Sequence, residues 1–378
     1  VRQPLPSENW YHARDHPVHN LFKRGAAGIP DDGISYPEVG SQTWSAAYPE
    51  STPDSKVMPQ AWKDALNAAV QAGKIPNIPP STMIPNQNPV YADGYDPNSP
   101  QVCSSTWKCR LAEDLWDAPD GQVGVSFDDG PLPSSDKLYE FLRNNNVKAT
   151  HFFIGVNIIQ NPNEFKTAFE VNQGDIAVHT WTHPYMTSLS NEDVVAQLAW
   201  TMEAIHNSTG GRVPRFWRPP YGDSDIRVSA IAREVLGLKT VIWNQDTEDW
   251  SMGSTDLTLD TVESNLRKWY TGPKSPGLII LEHELSDQTV QAFIDTFPVA
   301  VQNGWQAHSI AELDGKNVPY QNTVGTAGSV NQAAVGSVVA AAVSNSSSAA
   351  PSASGSSSSA AASTTSKSSS GTASKSSS

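Results

Sequence analysis

Short apolar runs alternate with amphipathic stretches through the middle of the chain, a pattern that predicts strands and helices in turn. The first run, at 122–127, is followed from Ser134 by Leu138 and Leu142 at helical spacing, and then by a second run at 149–154. Strands that alternate with helices in this way are typical of a parallel sheet, because each helix carries the chain back across it.

The same alternation continues along the chain. A helix is predicted after Ser190, and further strands are predicted at 175–178, 215–217, 239–243, 277–281 and 305–308. About seven parallel strands with covering helices are typical of a barrel. The predicted fold is therefore α/β, a distorted (β/α) barrel of about seven parallel strands.

Composition divides the chain into three zones. Residues 1–116 form a Pro-rich N-terminal extension, residues 117–315 a dense globular region, and residues 325–378 a tail of mainly Ser, Ala and Thr. The tail has almost no large apolar residues to offset the entropy of ordering, so we expect a disordered stalk. The chemistry is expected in the middle zone.

The extension contains one clear helical pattern, at 60–73. It places Trp62, Leu66 and Val70 on one face, and Gly73 stands where the helix is expected to end. We expect this apolar face to pack on the globular domain, so that the extension covers the barrel.

Charge and hydropathy exclude two classes of partner. The formal net charge of −14 disfavours nucleic acid, whose phosphates require a basic face. No apolar stretch approaches the roughly 20 residues that span a bilayer, so no transmembrane segment is expected. An uncharged substrate suits this composition better.

Cysteine usage and glycosylation sequons favour secretion. The two cysteines, Cys103 and Cys109, are close in sequence and suit a short-loop disulfide in an oxidising compartment, although two buried thiols are the alternative. Sequons at Asn207 and Asn345 predict N-glycosylation in the same compartment.

Polar residues that suit catalysis follow the predicted strands. Just past their carboxyl ends stand Asp128, Asp129, His179, His183, Arg218, Asp246, Asp249 and His283. The active sites of β/α barrels lie at this end, so we expect these side chains to meet.

Two pairs within this set suggest a metal site. His179 and His183 have a spacing that can bring both imidazoles to one ion, although two structural histidines are the ordinary alternative. Asp128 and Asp129 are adjacent, so they point to opposite sides and cannot play the same part. A glycosidase would need two carboxylates about 5–9 Å apart on separate segments, which the adjacent pair disfavours.

Five segments carry these residues in order along the chain. They read Ser126-Phe127-Asp128-Asp129-Gly130-Pro131, His179-Thr180-Trp181-Thr182-His183, Arg218-Pro219-Pro220-Tyr221-Gly222, Asp246-Thr247-Glu248-Asp249-Trp250 and Leu281-Glu282-His283. Together they resemble the ordered motifs of NodB-like polysaccharide deacetylases, which form carbohydrate esterase family four. The resemblance covers residues 117–313.

The resemblance implies a metal-dependent hydrolase. It makes Asp129, His179 and His183 the ligands of a divalent ion, zinc or another such as Co²⁺, with water on an open face. It makes Asp128 the general base and Arg218 the residue that holds Asp128 ionised and oriented.

The remaining roles also follow from the resemblance. The backbone N–H of Tyr221 would stabilise the oxyanion, and His283 would be the general acid, paired with Asp249. Trp250 and Leu281 would wall the pocket for the acetyl methyl group.

One residue departs from the family pattern. The last motif usually has a short apolar residue immediately before its histidine, whereas Glu282 stands there. Alternation along a strand would turn Glu282 away from the side that carries Leu281 and His283, and the packing around Leu281 is left open.

The composition of the C-terminal tail indicates which polymer is the substrate. The Ser/Thr/Ala-rich tail with its sequon resembles fungal wall-associated chitin deacetylases, so the expected substrates are chitin and N-acetylglucosamine oligomers. Peptidoglycan or acetylxylan deacetylation, and noncatalytic polysaccharide binding, are the alternatives. The expected location is the cell wall or cell surface after secretion, with a lipid (GPI) anchor kept open.

Overall fold

The computed structural model describes residues 29–85, 87–313, 315–323 and 328–337. The predicted glycosylation site at Asn345 and most of the predicted stalk lie outside these residues. So does the first part of the extension, residues 1–28.

Parallel strands form a curled sheet at the centre of the molecule. They are β1 Gln122–Asp128, β2 Thr150–Phe153, β3 Asp175–Val178, β4 Phe216–Trp217, β5 Lys239–Thr240, β6 Gln245–Asp246, β7 Leu278–Leu281 and β8 Gln306–Ser309. The order across the sheet is β5-β4-β3-β2-β1-β7-β6, and β8 pairs with the first half of β1. The predicted distorted barrel of about seven parallel strands is confirmed.

One predicted strand ends earlier than expected. The run at 239–243 was expected to be a single strand, but β5 ends at Thr240 and β6 begins at Gln245. The residues between them cross from one edge of the sheet to the other: the Val241 N–H donates to Trp217 O in β4, and the Asn244 N–H to Ile279 O in β7, each at 2.9 Å. This crossing brings the two edge strands together.

Helices cover the outside of the sheet. They are α1 Gln42–Ser45, α2 Gln60–Gln71, α3 Ser135–Asn144, α4 Gly155–Gln160, α5 Pro162–Lys166, α6 Asn191–Ser208, α7 Ile226–Leu236, α8 Leu259–Tyr270 and α9 Asp287–Gln302. Side-chain caps start the long ones: Ser190 Oγ accepts from Asp193 N in α6, and Ser286 and Thr289 form a capping box in α9. No helix among the described residues has the length and hydrophobicity to cross a membrane.

Side chains along β1 alternate between the packed core and the side that carries the functional residues. Val125 and Phe127 belong to the core between the sheet and its helices. Ser126 and Asp128, the intervening residues, both contact Arg218, which is itself fully buried. A period of two therefore separates the packing side of the strand from its functional side.

The extension packs on the barrel through aromatic and aliphatic residues. Trp62 of α2 meets Trp200 of α6 edge to face, with ring centroids 5.1 Å apart. The expected face was wrong in one position: Val70 is 45% exposed, and Ala69 is buried beside Leu66 instead. The helix is rotated slightly from the predicted orientation, because α6 and α7 lie on its Leu66–Ala69 side.

Candidate active site

The predicted polar residues meet at the carboxyl ends of the strands. Asp128 is the last residue of β1, His179 follows β3 directly and Arg218 follows β4 directly. Because all the strands are parallel, these ends lie on one side of the barrel. We call the following residues the active-site rim: Asp128, Asp129, His179, His183, Arg218, Asp249 and His283.

Three of the rim residues form a cluster that could hold a metal ion. Asp129 Oδ1 lies 3.2 Å from His179 Nε2 and 3.3 Å from His183 Nε2. All candidate ligand atoms of the three residues lie within 4.8 Å of one another. Asp129 and His179 are buried, whereas His183 is partly exposed, so the cluster opens to solvent on one side.

The chemistry of this cluster fits a divalent ion. His179 Nδ1 lies 2.7 Å from the Arg218 carbonyl, which can only accept a hydrogen bond, so Nδ1 carries a proton and Nε2 is the nitrogen that faces Asp129. Asp129 Oδ1 is buried and has no hydrogen-bond partner among the described residues. Burial lowers the pKa of His183 to about 4, so its ring is neutral, the form that binds metals. Two imidazole nitrogens and one unsatisfied carboxylate oxygen are a typical zinc ligand set.

Asp128 is held apart from this cluster by Arg218. The Arg218 guanidinium donates to Asp128 Oδ1 at 2.6 Å and to Ser126 Oγ at 3.0 Å, and it lies 4.3 Å from the centroid of the Phe152 ring. Asp128 is 1% exposed. A buried carboxylate paired in this way has its charge balanced and keeps one orientation.

His283 and Asp249 form a second charged pair on the rim. His283 Nδ1 lies 2.5 Å from Asp249 Oδ1, and the His283 N–H donates to Asp249 Oδ2 at 3.0 Å. Burial alone would lower the pKa of His283, but the charge of Asp249 and its hydrogen bond outweigh burial and raise that pKa to about 10. His283 Nε2 lies 4.0 Å from Asp129 Oδ2, so a protonated nitrogen points into the site.

The predicted wall residues differ in exposure. Leu281 is buried among the apolar side chains inside the barrel, whereas Trp250 is 57% exposed and Tyr221 is 51% exposed. Tyr185 stacks on the Tyr221 ring with centroids 3.9 Å apart. Asp246, to which no role was given, accepts hydrogen bonds from Glu248 N and Trp243 Nε1 and so stabilises the loop after β6.

Glu282 has the position that strand alternation predicts. Leu281 and Ile279 lie inside the barrel, whereas Leu278 and Ile280 pack toward the helices. Glu282 follows the second pair and is buried, and burial together with the charge of Asp249 raises its pKa well above the usual value.

Several non-glycine residues of the site adopt left-handed backbone conformations. They are Asp129, Thr180, His183, Tyr221 and Glu248, with φ between 56° and 70°. Such conformations cost roughly 1–2 kcal/mol each and persist where the surroundings hold them. These backbone turns help to set the direction of the side chains at the rim.

A buried network behind the rim was not predicted. Glu284 Oε1 lies 2.9 Å from His151 Nδ1, Oε2 accepts from the Tyr139 hydroxyl at 2.8 Å, and the Glu284 N–H donates to Asp128 O at 3.1 Å. A Cβ on Gly130 would lie 2.4 Å from the Glu284 carboxyl carbon, so only glycine fits there. Two features of the sequence could have indicated this network: a histidine, His151, within an apolar strand, and an acid, Glu284, next to His283.

Two predictions concern covalent modification. Cys103 and Cys109 are joined by a disulfide. Asn207 lies in the last turn of α6, partly buried, and its side-chain amide lies 3.2 Å from Glu203 Oε1. Glycosylation at Asn207 stays a prediction.

Comparisons with known proteins give the family. The family model for polysaccharide deacetylase matches residues 117–241. "Chitin deacetylase 3" of Cryptococcus neoformans var. neoformans serotype D is 42% identical over 316 residues, which are 82% of this chain and 73% of that protein. The chain therefore belongs to the polysaccharide deacetylase family.

Other relatives carry similar names. "Chitin deacetylase" of Amylomyces rouxii is 35% identical over 260 residues, 65% of this chain and 60% of that protein. Among solved structures, the chitin deacetylase from the fungal pathogen Colletotrichum lindemuthianum has a TM-score of 0.47 and 25% identity, and the match covers 53% of this chain and 89% of that one.

Proposed function

We propose that the protein hydrolyses the N-acetyl groups of N-acetylglucosamine residues in chitin, giving acetate and free amines. The observation that carries this proposal is the arrangement of the rim. A candidate metal cluster lies between a carboxylate paired with Arg218 and an imidazole paired with Asp249. The relatives named chitin deacetylase support chitin as the polymer.

Asp129, His179 and His183 would hold the metal ion, for which we propose zinc. When bound there, the ion polarises the acetamide carbonyl and lowers the pKa of the attacking water. The protein fixes the direction of the ligands through the His179–Arg218 carbonyl contact.

Asp128 accepts the proton of the attacking water. Water oxygen bonds to the acetamide carbon, and its proton passes to the Asp128 oxygen that Arg218 does not hold. Asp128 Oδ2 lies 3.8 Å from His179 Nε2, so this oxygen borders the metal cluster. Arg218 balances the charge of the carboxylate and holds its orientation.

His283 completes the reaction as the general acid. The carbon–nitrogen bond breaks as His283 Nε2 gives its proton to the departing amine, which would otherwise be a poor leaving group. Asp249 on Nδ1 holds the ring in the required direction and stabilises its charge. Acetate and the free amine of the sugar are then released.

The Tyr221 backbone N–H stabilises the charge that forms on the carbonyl oxygen. Within the described residues this N–H has no acceptor, so it is free to donate. One such donor is typically worth about 3 kcal/mol in the transition state. Trp250 and Leu281 border the acetyl methyl group.

Acetate release from N-acetylglucosamine oligomers tests the function. The wild-type protein should release acetate, a chelator should stop the release, and Asp128→Asn should reduce kcat by about 100-fold or more. Asp256→Asn is the control, because Asp256 is an exposed acid with no part in the proposed mechanism and should keep its activity. Release that a chelator leaves unchanged would refute the metal mechanism, and an active Asp128→Asn variant would remove Asp128 as the base.

The same assay separates the alternative substrates. Acetate release from peptidoglycan fragments or acetylated xylan, with none from chitin oligomers of matched length, would replace chitin as the substrate and keep the mechanism. No release from any of them would favour a noncatalytic binding protein.

We also propose an extracellular location. The Cys103–Cys109 disulfide suits an oxidising compartment. Attachment to the wall or membrane through a lipid anchor stays a prediction, and mass spectrometry of the carboxyl terminus of the natural protein tests it.

A further inference from the structure

The backbone around Tyr221 is held in an unfavourable conformation. Tyr221 and Gly222 both have left-handed φ angles, 59° and 66°, within the short turn Pro220–Gly222. A Cβ on Gly222 would lie 2.9 Å from the Trp243 ring, so the turn lies close against the barrel interior and has room only for glycine there. A turn of this kind needs contacts that fix it, and those contacts set where the Tyr221 N–H points.

One side of the turn is fixed from within the barrel domain. The Asp223 carboxylate accepts hydrogen bonds from the Thr187 N–H at 2.8 Å and from the Thr187 hydroxyl at 2.9 Å. Thr187 follows the His183 segment, so this contact ties the turn to a candidate metal ligand.

The other side is fixed from the extension by Ser105. The Ser105 hydroxyl donates to Gly222 O at 2.6 Å and lies 3.1 Å from Ser224 N, while the Ser105 N–H donates to Ser224 O at 2.9 Å. Ser105 is 5% exposed, so water does not compete for these bonds. The two segments are separated by 117 positions in the sequence.

The Cys103–Cys109 disulfide closes a small loop around Ser105, which we call the disulfide loop, residues 103–109. Two backbone hydrogen bonds hold it: the Cys109 N–H donates to Ser104 O within the loop, and the Cys103 N–H donates to Ser99 O just before it. A further bond, from the Ile226 N–H to Val102 O at 2.9 Å, aligns it with the segment after the turn. The disulfide loop lies outside residues 117–241, which match the family model.

We propose that Ser105 is a positioning residue for deacetylation: presented by the disulfide loop, its hydroxyl fixes the Gly222 carbonyl and so holds the Tyr221 N–H toward the reacting carbonyl oxygen. This inference rests on the proposed function. A donor of this type acts mainly in the transition state, so its displacement lowers kcat much more than it changes KM.

The test compares two serines of the same loop. Ser105→Ala should lower kcat about 10- to 100-fold on N-acetylglucosamine oligomers and change KM by less than about threefold. Ser104→Ala is the matched control, because Ser104 is also buried in the loop but its hydroxyl lies 2.9 Å from that of Thr106 and, within the described residues, is not hydrogen-bonded to Gly222 or Ser224. Ser104→Ala should keep kcat within about twofold, and Ser105→Thr, which retains the hydroxyl, should recover most of the lost rate.

Two further measurements make the result specific. Amide hydrogen exchange in a peptide that covers 219–225 should be faster in Ser105→Ala than in Ser104→Ala, whether or not the protein is active. Opening the loop with Cys103→Ser and Cys109→Ser together should lower kcat by a smaller factor, about threefold to tenfold, since Ser105 itself remains.

Wild-type kcat in Ser105→Ala, equal losses in both serine variants, or unchanged exchange at 219–225 would each overturn the proposal. A wild-type protein that releases no acetate contradicts the proposed function instead, and the exchange measurement still decides whether Ser105 holds the turn.

Discussion

Buried carboxylates at the two ends of the barrel differ in their hydrogen-bond partners. At the amino end of β3, Asp175 is 2% exposed and has partners on both oxygens: Lys148 Nζ at 2.7 Å and the Ser309 hydroxyl at 2.5 Å. At the opposite end, Asp129 is 7% exposed, yet its Oδ1 has no hydrogen-bond partner among the described residues. Burial without a partner is costly, so Asp129 is kept available for a ligand while Asp175 serves the fold.

A charged pair on the rim gives the largest expected effect. Asp249→Asn removes the charge that keeps His283 protonated and allows its ring to turn, so kcat should fall by about 100-fold or more while the melting temperature changes little. Steady-state kinetics and thermal unfolding on the same preparation check this. A variant that unfolds but keeps its kcat would assign Asp249 to the fold, as for Asp175.

A substitution of Asp175, at the amino end of β3, should lower stability and leave activity nearly unchanged. Asp175→Ala leaves Lys148 and the Ser309 hydroxyl without their partner, and it should reduce the free energy of unfolding by about 2–4 kcal/mol. The kcat of the folded variant should stay within about threefold of wild type, because the residue lies at the end of the barrel away from the rim. Denaturant unfolding measures the first quantity, and a large loss of kcat at full stability would contradict the comparison.

The smallest effect is expected at an exposed rim residue. Trp250 is 57% exposed, so Trp250→Ala should leave the unfolding free energy within about 0.5 kcal/mol of wild type. It should raise KM for N-acetylglucosamine oligomers about threefold to tenfold, since the ring borders the acetyl group in the proposed complex. Unaltered KM with lower stability would make Trp250 a packing residue.

The rim could be predicted because its signals are local. Apolar runs that end in Asp128, His179, Arg218 and His283 mark the carboxyl ends of parallel strands, and parallel strands bring those ends together. The period of two along β7 likewise predicts which way Glu282 faces. The number of strands and the end of the barrel at which the site lies can be predicted from the same pattern.

Contacts between distant segments could not be predicted in this way. The early end of β5 was missed, because Val241, Ile242 and Trp243 are apolar residues that suit a strand, and only the shape of the sheet makes them cross between its edges. The contacts of Ser105 with Gly222 and of His151 with Glu284 join residues more than 100 positions apart. A single sequence gives no local signal for such pairs, and Ser105 reads as an ordinary loop serine.

The metal cluster is the centre of the account, and titration of the metal-free protein with Zn²⁺ in a calorimeter tests it most directly. We expect the wild type to bind one ion per chain and His179→Ala to bind it about 100-fold more weakly or not at all. Asp175→Ala should bind Zn²⁺ as the wild type does. Zinc binding that His179→Ala leaves unchanged, or no binding by the folded wild-type protein, would contradict the account.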